Sequence, residues 1–286
     1  MQPIFTITKH NNMKKIALAG AALLLAAGAQ AQMNVRLGVE AGLNISNLTY
    51  DKTVADLNTF TFGVERTSGE IKLGGKAGLV LDLGFSDNLS LQPGLFYSMK
   101  GYKDVTKESS IEPISGTEYS IEYTLSNTFS YLELPINVAY RFGDAYSNTR
   151  FMVYGGPYVG YAMGGRFKGT LKANVGGISI SQDTSGKIST GNTKSSIDAS
   201  DPFNPKMTQG DDIKSLDYGF QVGAGVEMGM GLFFKAQYQM GLANLSNGSF
   251  TLDPTTGMTQ SASGYMKNWC IGISVGYFFM NGNNRY

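Results

Sequence analysis

The side chains that carry most enzymatic chemistry are scarce in this chain. Its 286 residues include one histidine, His10, and one cysteine, Cys270. A single cysteine excludes a disulfide framework and any multi-cysteine zinc site. Asp198, Asp201, Asp211 and Asp212 lie close together, but not at the spacing that gives Ca²⁺ several oxygen ligands. A solvated loop is the simpler reading. The glycine runs at 155–160 and 223–231 have no following helix, so they are not phosphate-cradling loops. No cofactor or metal is expected. What remains is ten ions set among apolar residues: Arg36, Glu40, Lys76, Asp82, Lys100, Glu133, Arg141, Asp217, Glu227 and Lys235. Such groups can relay protons or gate a path, but five bases against five acids favour structural pairing in an enclosed space, where each charge needs a partner.

The ions are positioned by segments of period two. Val35, Leu37, Val39, Ala41, Leu43 and Ile45 face one way, with Arg36, Gly38, Glu40, Gly42 and Asn44 opposite. Leu216 to Met228 and Leu232 to Leu242 repeat the pattern, as do residues 73–85, 132–142 and 268–279. Two further segments, near 89–100 and 150–164, alternate more weakly. Eight strands are predicted, at 34–46, 73–85, 89–101, 129–142, 150–164, 216–229, 232–243 and 268–279. Each is long enough for a tilted transmembrane β-strand. Short turns (86–88, 143–149, 230–231) alternate with long polar connections (47–72, 102–128, 165–215, 244–267), the signature of an outer-membrane barrel. The expected fold is all-β, an eight-stranded antiparallel up-and-down transmembrane barrel. Its even strand count places both termini on the short-turn, periplasmic side. Residues 117–128 are expected to extend the fourth strand above the membrane, and 170–190 to form a protruding hairpin.

Alternation alone does not orient the faces. A soluble lipocalin-like barrel would turn the apolar face inward. The Gly-, Ser-, Asn- and Gln-rich polar face, its balanced ions and the aromatics near strand ends favour lipid outside. Those aromatics are Phe85, Tyr97, Tyr140, Phe142, Phe151, Tyr161, Tyr218, Trp269, Tyr277 and Phe279. Eight strands leave an interior that side chains fill, so the lumen is expected to be a packed polar core. The 37 glycines then let a narrow wall curve. Pro93, Pro135 and Pro157 fall within strands, where bulges or irregular pairing are expected. Cys270 is expected as a buried free thiol. On this reading Val226→Arg places a charge in lipid near mid-membrane, at a cost of ~2–4 kcal/mol.

The N-terminus has a basic start at Met13-Lys14-Lys15, an apolar run from Ile16 to Ala27, and an A-x-A site at Ala29-Gln30-Ala31. This is the pattern of a secretory signal peptide over residues 1–31, with Met13 expected as the true start and cleavage before Gln32. The barrel domain is then 32–286. Residues 1–31 hold His10 and three lysines, so the mature chain has no histidine and 20 basic against 22 acidic residues. The missing histidine excludes Ser-His and Cys-His catalysis and His-ligated metals. It weighs against a barrel enzyme such as a lipid-A deacylase or protease. The near-neutral balance argues against nucleic acid.

Seven stretches carry a family resemblance: LGVEAGLNISNL (37–48), LQPGLFYSMKG (91–101), YLELPINVAYRF (131–142), YGGPYVGY (154–161), DYGFQVGAGVEM (217–228), YQMGLANLS (238–246) and GISVGYFF (272–279). In these the chain resembles the PorT-like outer-membrane β-barrel proteins of Gram-negative bacteria. The resemblance implies an integral eight-stranded barrel without enzymatic activity; one named member works in a secretion system. The chain departs from a common barrel ending, because a polar tail, Met280 to Tyr286, follows Phe279. The expected role is structural or surface-interacting, the alternative a small-solute channel or a component of a secretion or transport assembly. Expected partners are outer-membrane lipid, the barrel-assembly machinery, and an envelope or extracellular partner met through the four long loops.

Overall fold

The computed structural model describes residues 34–50, 66–111, 118–144, 147–193, 196–198, 206–208, 211–247, 249–252, 259–262 and 265–279. Residues 1–33, with the signal segment, Met13 and the cleavage site at Ala29, Ala31 and Gln32, lie outside them, as does the tail 280–286. In chain order the strands are β1 (Asn34–Tyr50), β2 (Arg66–Glu70), β3 (Lys72–Gly84), β4 (Leu89–Ile111), β5 (Glu118–Phe142), β6 (Thr149–Val175) and β7 (Ile178–Ile188). They continue with β8 (Ser196–Asp198), β9 (Lys206–Thr208), β10 (Leu216–Met228), β11 (Leu232–Gly241), β12 (Ser249–Leu252), β13 (Thr259–Ala262) and β14 (Met266–Phe278).

Eight of these close a ring. The order is β10-β11-β14-β1-β3-β4-β5-β6, and β6 pairs back onto β10. Every ring pairing is antiparallel. Closure removes the sheet edges, so the barrel wall satisfies its backbone groups internally, as a hydrocarbon environment demands. Asn34 lies opposite Gly84, and Phe278 opposite Gly38. Both ends of the described ring therefore sit at the short-turn end.

The faces sort as the alternation predicts. Leu43, Leu73, Val138, Phe151, Tyr161, Val222 and Ile273 are exposed on the outside. Glu40, Asn44, Gln92, Lys100, Asp217 and Gln239 are buried within. Nine of the ten girdle aromatics are exposed; Trp269 is half-buried. Inward glycines let neighbouring strands approach closely. A Cβ added at Gly42 would run into the Ile273 carbonyl oxygen, and one at Gly156 into that of Ile136.

At the prolines the pairing is locally irregular, as expected, but without a bulge. Pairing between β3 and β4 lapses beside Gln92 and Pro93, then resumes in the same register. It lapses between β4 and β5 beside Leu134 and Pro135, and between β5 and β6 beside Gly156 and Pro157. In each case the lapse is on the side of the preceding strand, while the other neighbour pairs through: Pro93 with Ile136, Pro135 with Tyr158, Pro157 with Phe220. A proline lacks one donor and so interrupts one ladder only. The register shift recorded in the ring lies elsewhere, between Ser130 and Tyr131 of β5. Opposite it is Gly164, whose φ of +135° suits glycine.

The long connections are also more regular than predicted. β4 and β5 pair without a break from Phe96–Glu133 to Ile111–Glu118, so 118–128 extend the strand of 129–142 as expected, and 102–111, read as loop, pair with them. β6 runs to Val175 and β7 returns to Ile188, which includes the hairpin expected at 170–190. β2 pairs with β4 beyond the end of β3. A sheet of β2, β4, β5, β6 and β7 thus rises past the ring on the long-strand side.

Candidate functional site

All ten predicted ions point into the barrel, in three tiers. At the short-turn end, Arg36 Nη2 donates to Asp82 Oδ2 at 2.6 Å and Arg36 Nη1 to Glu227 Oε1 at 2.5 Å. Arg141 closes the ring through Nη2 to Asp82 Oδ1 at 2.9 Å and Nε to Glu227 Oε2 at 2.7 Å. Gln92 and Ser90 complete it, one donating to Asp82 and the other accepting from Arg141. Two guanidinium groups here face two carboxylates, each carboxylate clamped by both. Charge-assisted bonds of this kind are the strong ones.

The middle tier has two cations on one anion. Glu40 meets Lys76 Nζ at 2.6 Å and Lys235 Nζ at 3.3 Å, and accepts from Ser274 Oγ at 2.8 Å. Gln237 and Gln92 accept further bonds from the two lysines. The upper tier reverses the balance. Lys100 pairs with Glu133, and Asp217 Oδ2 accepts from Asn268 Nδ2 at 3.1 Å and Tyr158 Oη at 3.3 Å. Cys270 is buried on the inward face.

Sequence reasoning missed the aromatic half of this interior. Arg36 lies over Phe278 at 4.5 Å, Lys76 over Phe96 at 5.0 Å, and Lys235 over Phe233 at 4.6 Å and Tyr154 at 5.1 Å. Lys100 lies over Tyr158 at 5.0 Å and Tyr131 at 5.6 Å. Val80, Ala139 and Met152 pack with Phe96, Tyr154, Phe233 and Phe278 into one cluster. The weak alternation of 89–100 and 150–164 was the available signal. Phe96, Met152, Tyr154 and Tyr158 give those strands two apolar faces. Each cation–ring contact out of water stabilises by ~0.5–2 kcal/mol.

Little space is left. The cavity between the middle and upper tiers, bordered by Glu40, Lys76, Lys235 and Glu133, holds about 20 Å³, room for roughly one water. A wider recess of about 300 Å³ opens at the short-turn end beneath the Arg36–Arg141 ring. The long-strand mouth is plugged. Ile188 and Ile213 pack on Phe129, Tyr131 and Ala162, and Leu245 is buried beside them. Bridges join Thr190 to Ile213 and Ile213 to Ser246. The acidic group considered for a metal divides here. Asp212 Oδ2 accepts from the Ser189 amide at 2.7 Å, and Asp211 Oδ2 from that of Thr193 at 2.8 Å. Both brace the plug. Asp198 stands in β8, and Asp201 lies outside the described residues. Among the described residues no group of three or more His, Cys, Asp or Glu could hold a metal.

A ring-closed sheet with lipid-compatible outside and ionic inside defines an integral outer-membrane barrel. The chain belongs to the outer membrane protein beta-barrel domain family, whose model matches residues 29–247. It also aligns with three solved barrels. Ail, the attachment invasion locus protein of Yersinia pestis, is 11% identical at a TM-score of 0.29, over 86% of this chain and 100% of that one. Neisserial surface protein A is 11% identical at 0.31, over 86% and 99%. OprG from Pseudomonas aeruginosa is 10% identical at 0.35, over 88% and 99%. No curated protein matches the chain.

Proposed function

We propose that this is a closed, non-enzymatic outer-membrane barrel of the PorT-like group, working through the surface of its long-strand end. The observation that carries this reading is the filled lumen, with three tiers of paired ions, aromatic rings between them and a plugged mouth. A wall built this way serves to hold something in place, and the tall β2-β4-β5-β6-β7 sheet is what it holds. The termini then lie in the periplasm and the sheet outside the cell, where an envelope or extracellular partner can meet it. The barrel-assembly machinery inserts the chain. The same filled lumen counts against the small-solute channel.

Cysteine labelling in intact cells tests the orientation. Ser181→Cys on β7 is expected to react with an impermeant maleimide, and Asn148→Cys in a short turn only after lysis. The opposite pattern would overturn the reading.

A further inference from the structure

The rising sheet has two different faces. Phe129, Phe167 and Ile188 point to the side that continues the lumen and pack in its plug. The opposite face, continuing the lipid-facing wall, carries Thr128, Arg166 and Lys187 in one rung across β5, β6 and β7. Arg166 and Lys187 are direct cross-strand partners and both are exposed. Like charges directly opposite, with Cβ atoms ~4.5–5.5 Å apart, destabilise a sheet. Neighbouring cations have their acids: Lys168 pairs with Asp183 at 3.3 Å, Lys103 with Glu70 at 2.5 Å, and Lys107 and Lys172 share Glu122. Among the described residues none pairs with Arg166 or Lys187.

The height of this rung names the missing anion. Four residues below Thr128 on the same face is Leu132, in a rung with Tyr161 and Leu216, all three exposed to lipid. Four residues at ~3.3 Å each, along a strand tilted by ~45°, put Arg166 and Lys187 roughly 9 Å above that rung. This is headgroup depth. A guanidinium offers a planar fork to phosphate and an ammonium adds a point charge.

We propose that Arg166 and Lys187, with the Thr128 hydroxyl, bind a phosphate of a lipid headgroup in the leaflet on the long-strand side. The site deepens the surface role proposed above and rests on that orientation for naming the leaflet. Its test uses residues 32–286 refolded in dodecyl maltoside micelles, where neither orientation nor lumen closure enters. The probe is monophosphoryl lipid A, read as bound lipid by native mass spectrometry, with heat-modifiable gel migration reporting folding. Wild type is expected to bind one lipid and the R166Q/K187Q variant at least ten-fold more weakly. In lipid-free micelles the same variant is expected to unfold at a higher temperature, since the repulsion is gone; a merely structural pair would lower it. Should the double variant fail to fold, K187Q alone is expected to show a smaller loss. Equal binding by wild type and variant would overturn the proposal. So would inorganic phosphate at equal ionic strength displacing the lipid fully at equimolar concentration, which would make this a soluble-anion site.

Discussion

Asp82 joins the two guanidinium groups of the short-turn tier. It accepts from Arg36, Arg141 and Gln92 at once, so Asp82→Asn leaves the buried Arg141 and half-buried Arg36 guanidinium groups sharing Glu227. Breaking a buried ion pair costs ~3–5 kcal/mol, and urea-induced unfolding of the refolded barrel is expected to shift by that much. Asp82→Glu should recover part of it. Outside, depth decides the cost. Val226 pairs with Phe151 and Phe234, beside the 229–231 turn, so the mid-membrane placement first expected for it needs correcting. Val222, opposite Gly155 and Tyr238, is nearer the middle. Val222→Arg is expected to cost ~2–4 kcal/mol and Val226→Arg ~0–1 kcal/mol in the same unfolding measurement. The ten ions were legible one by one from their parity in the strands. Their pairing was not, because Arg36 and Glu227 meet across 191 positions and only the ring's register brings them together.

At the scale of elements, period two is visible wherever one face is wholly apolar and the other polar, as in β1, β10, β11 and β14. It fades in β4 and β6, where rings and Met152 line the inside, and above the membrane, where the outer face turns polar at Thr128, Arg166 and Lys168. That is why residues 102–111 and 165–169 read as loop although they pair as strand. The rising sheet is held mainly by backbone ladders and exposed ion pairs, so it is expected to open first. Glu122 sits below its ordinary value of 4.5 through hydrogen bonds from Lys107 and Lys172, and Asp183 below 3.8 through Thr170 and Lys168. A depressed carboxylate gives stability that is present above its unfolded value and is lost as pH falls through the folded one. Amide exchange over 118–128 and 166–174, corrected for the intrinsic rate, is therefore expected to be flat from neutrality to about pH 5 and to quicken below about pH 4. The effect should shrink in high salt, as exposed pairs are screened. Protection in the lower halves of β5 and β6 should not change over that range. Quickening confined to those lower halves would contradict the assignment.

The whole molecule is a narrow wall whose inside and outside exchange the usual roles of a soluble protein. An apolar share of 42% is ordinary because lipid-facing side chains are averaged with lumen and surface ones. Single-channel recording in planar bilayers tests the sealed lumen most directly. With residues 32–286 reconstituted at neutral pH, no resolved unitary steps are expected, and the Lys76→Ala/Lys235→Ala variant should be as silent, because Phe96, Tyr154, Phe233 and Phe278 still fill the bore. Reproducible unitary conductance from the wild-type barrel would contradict the account.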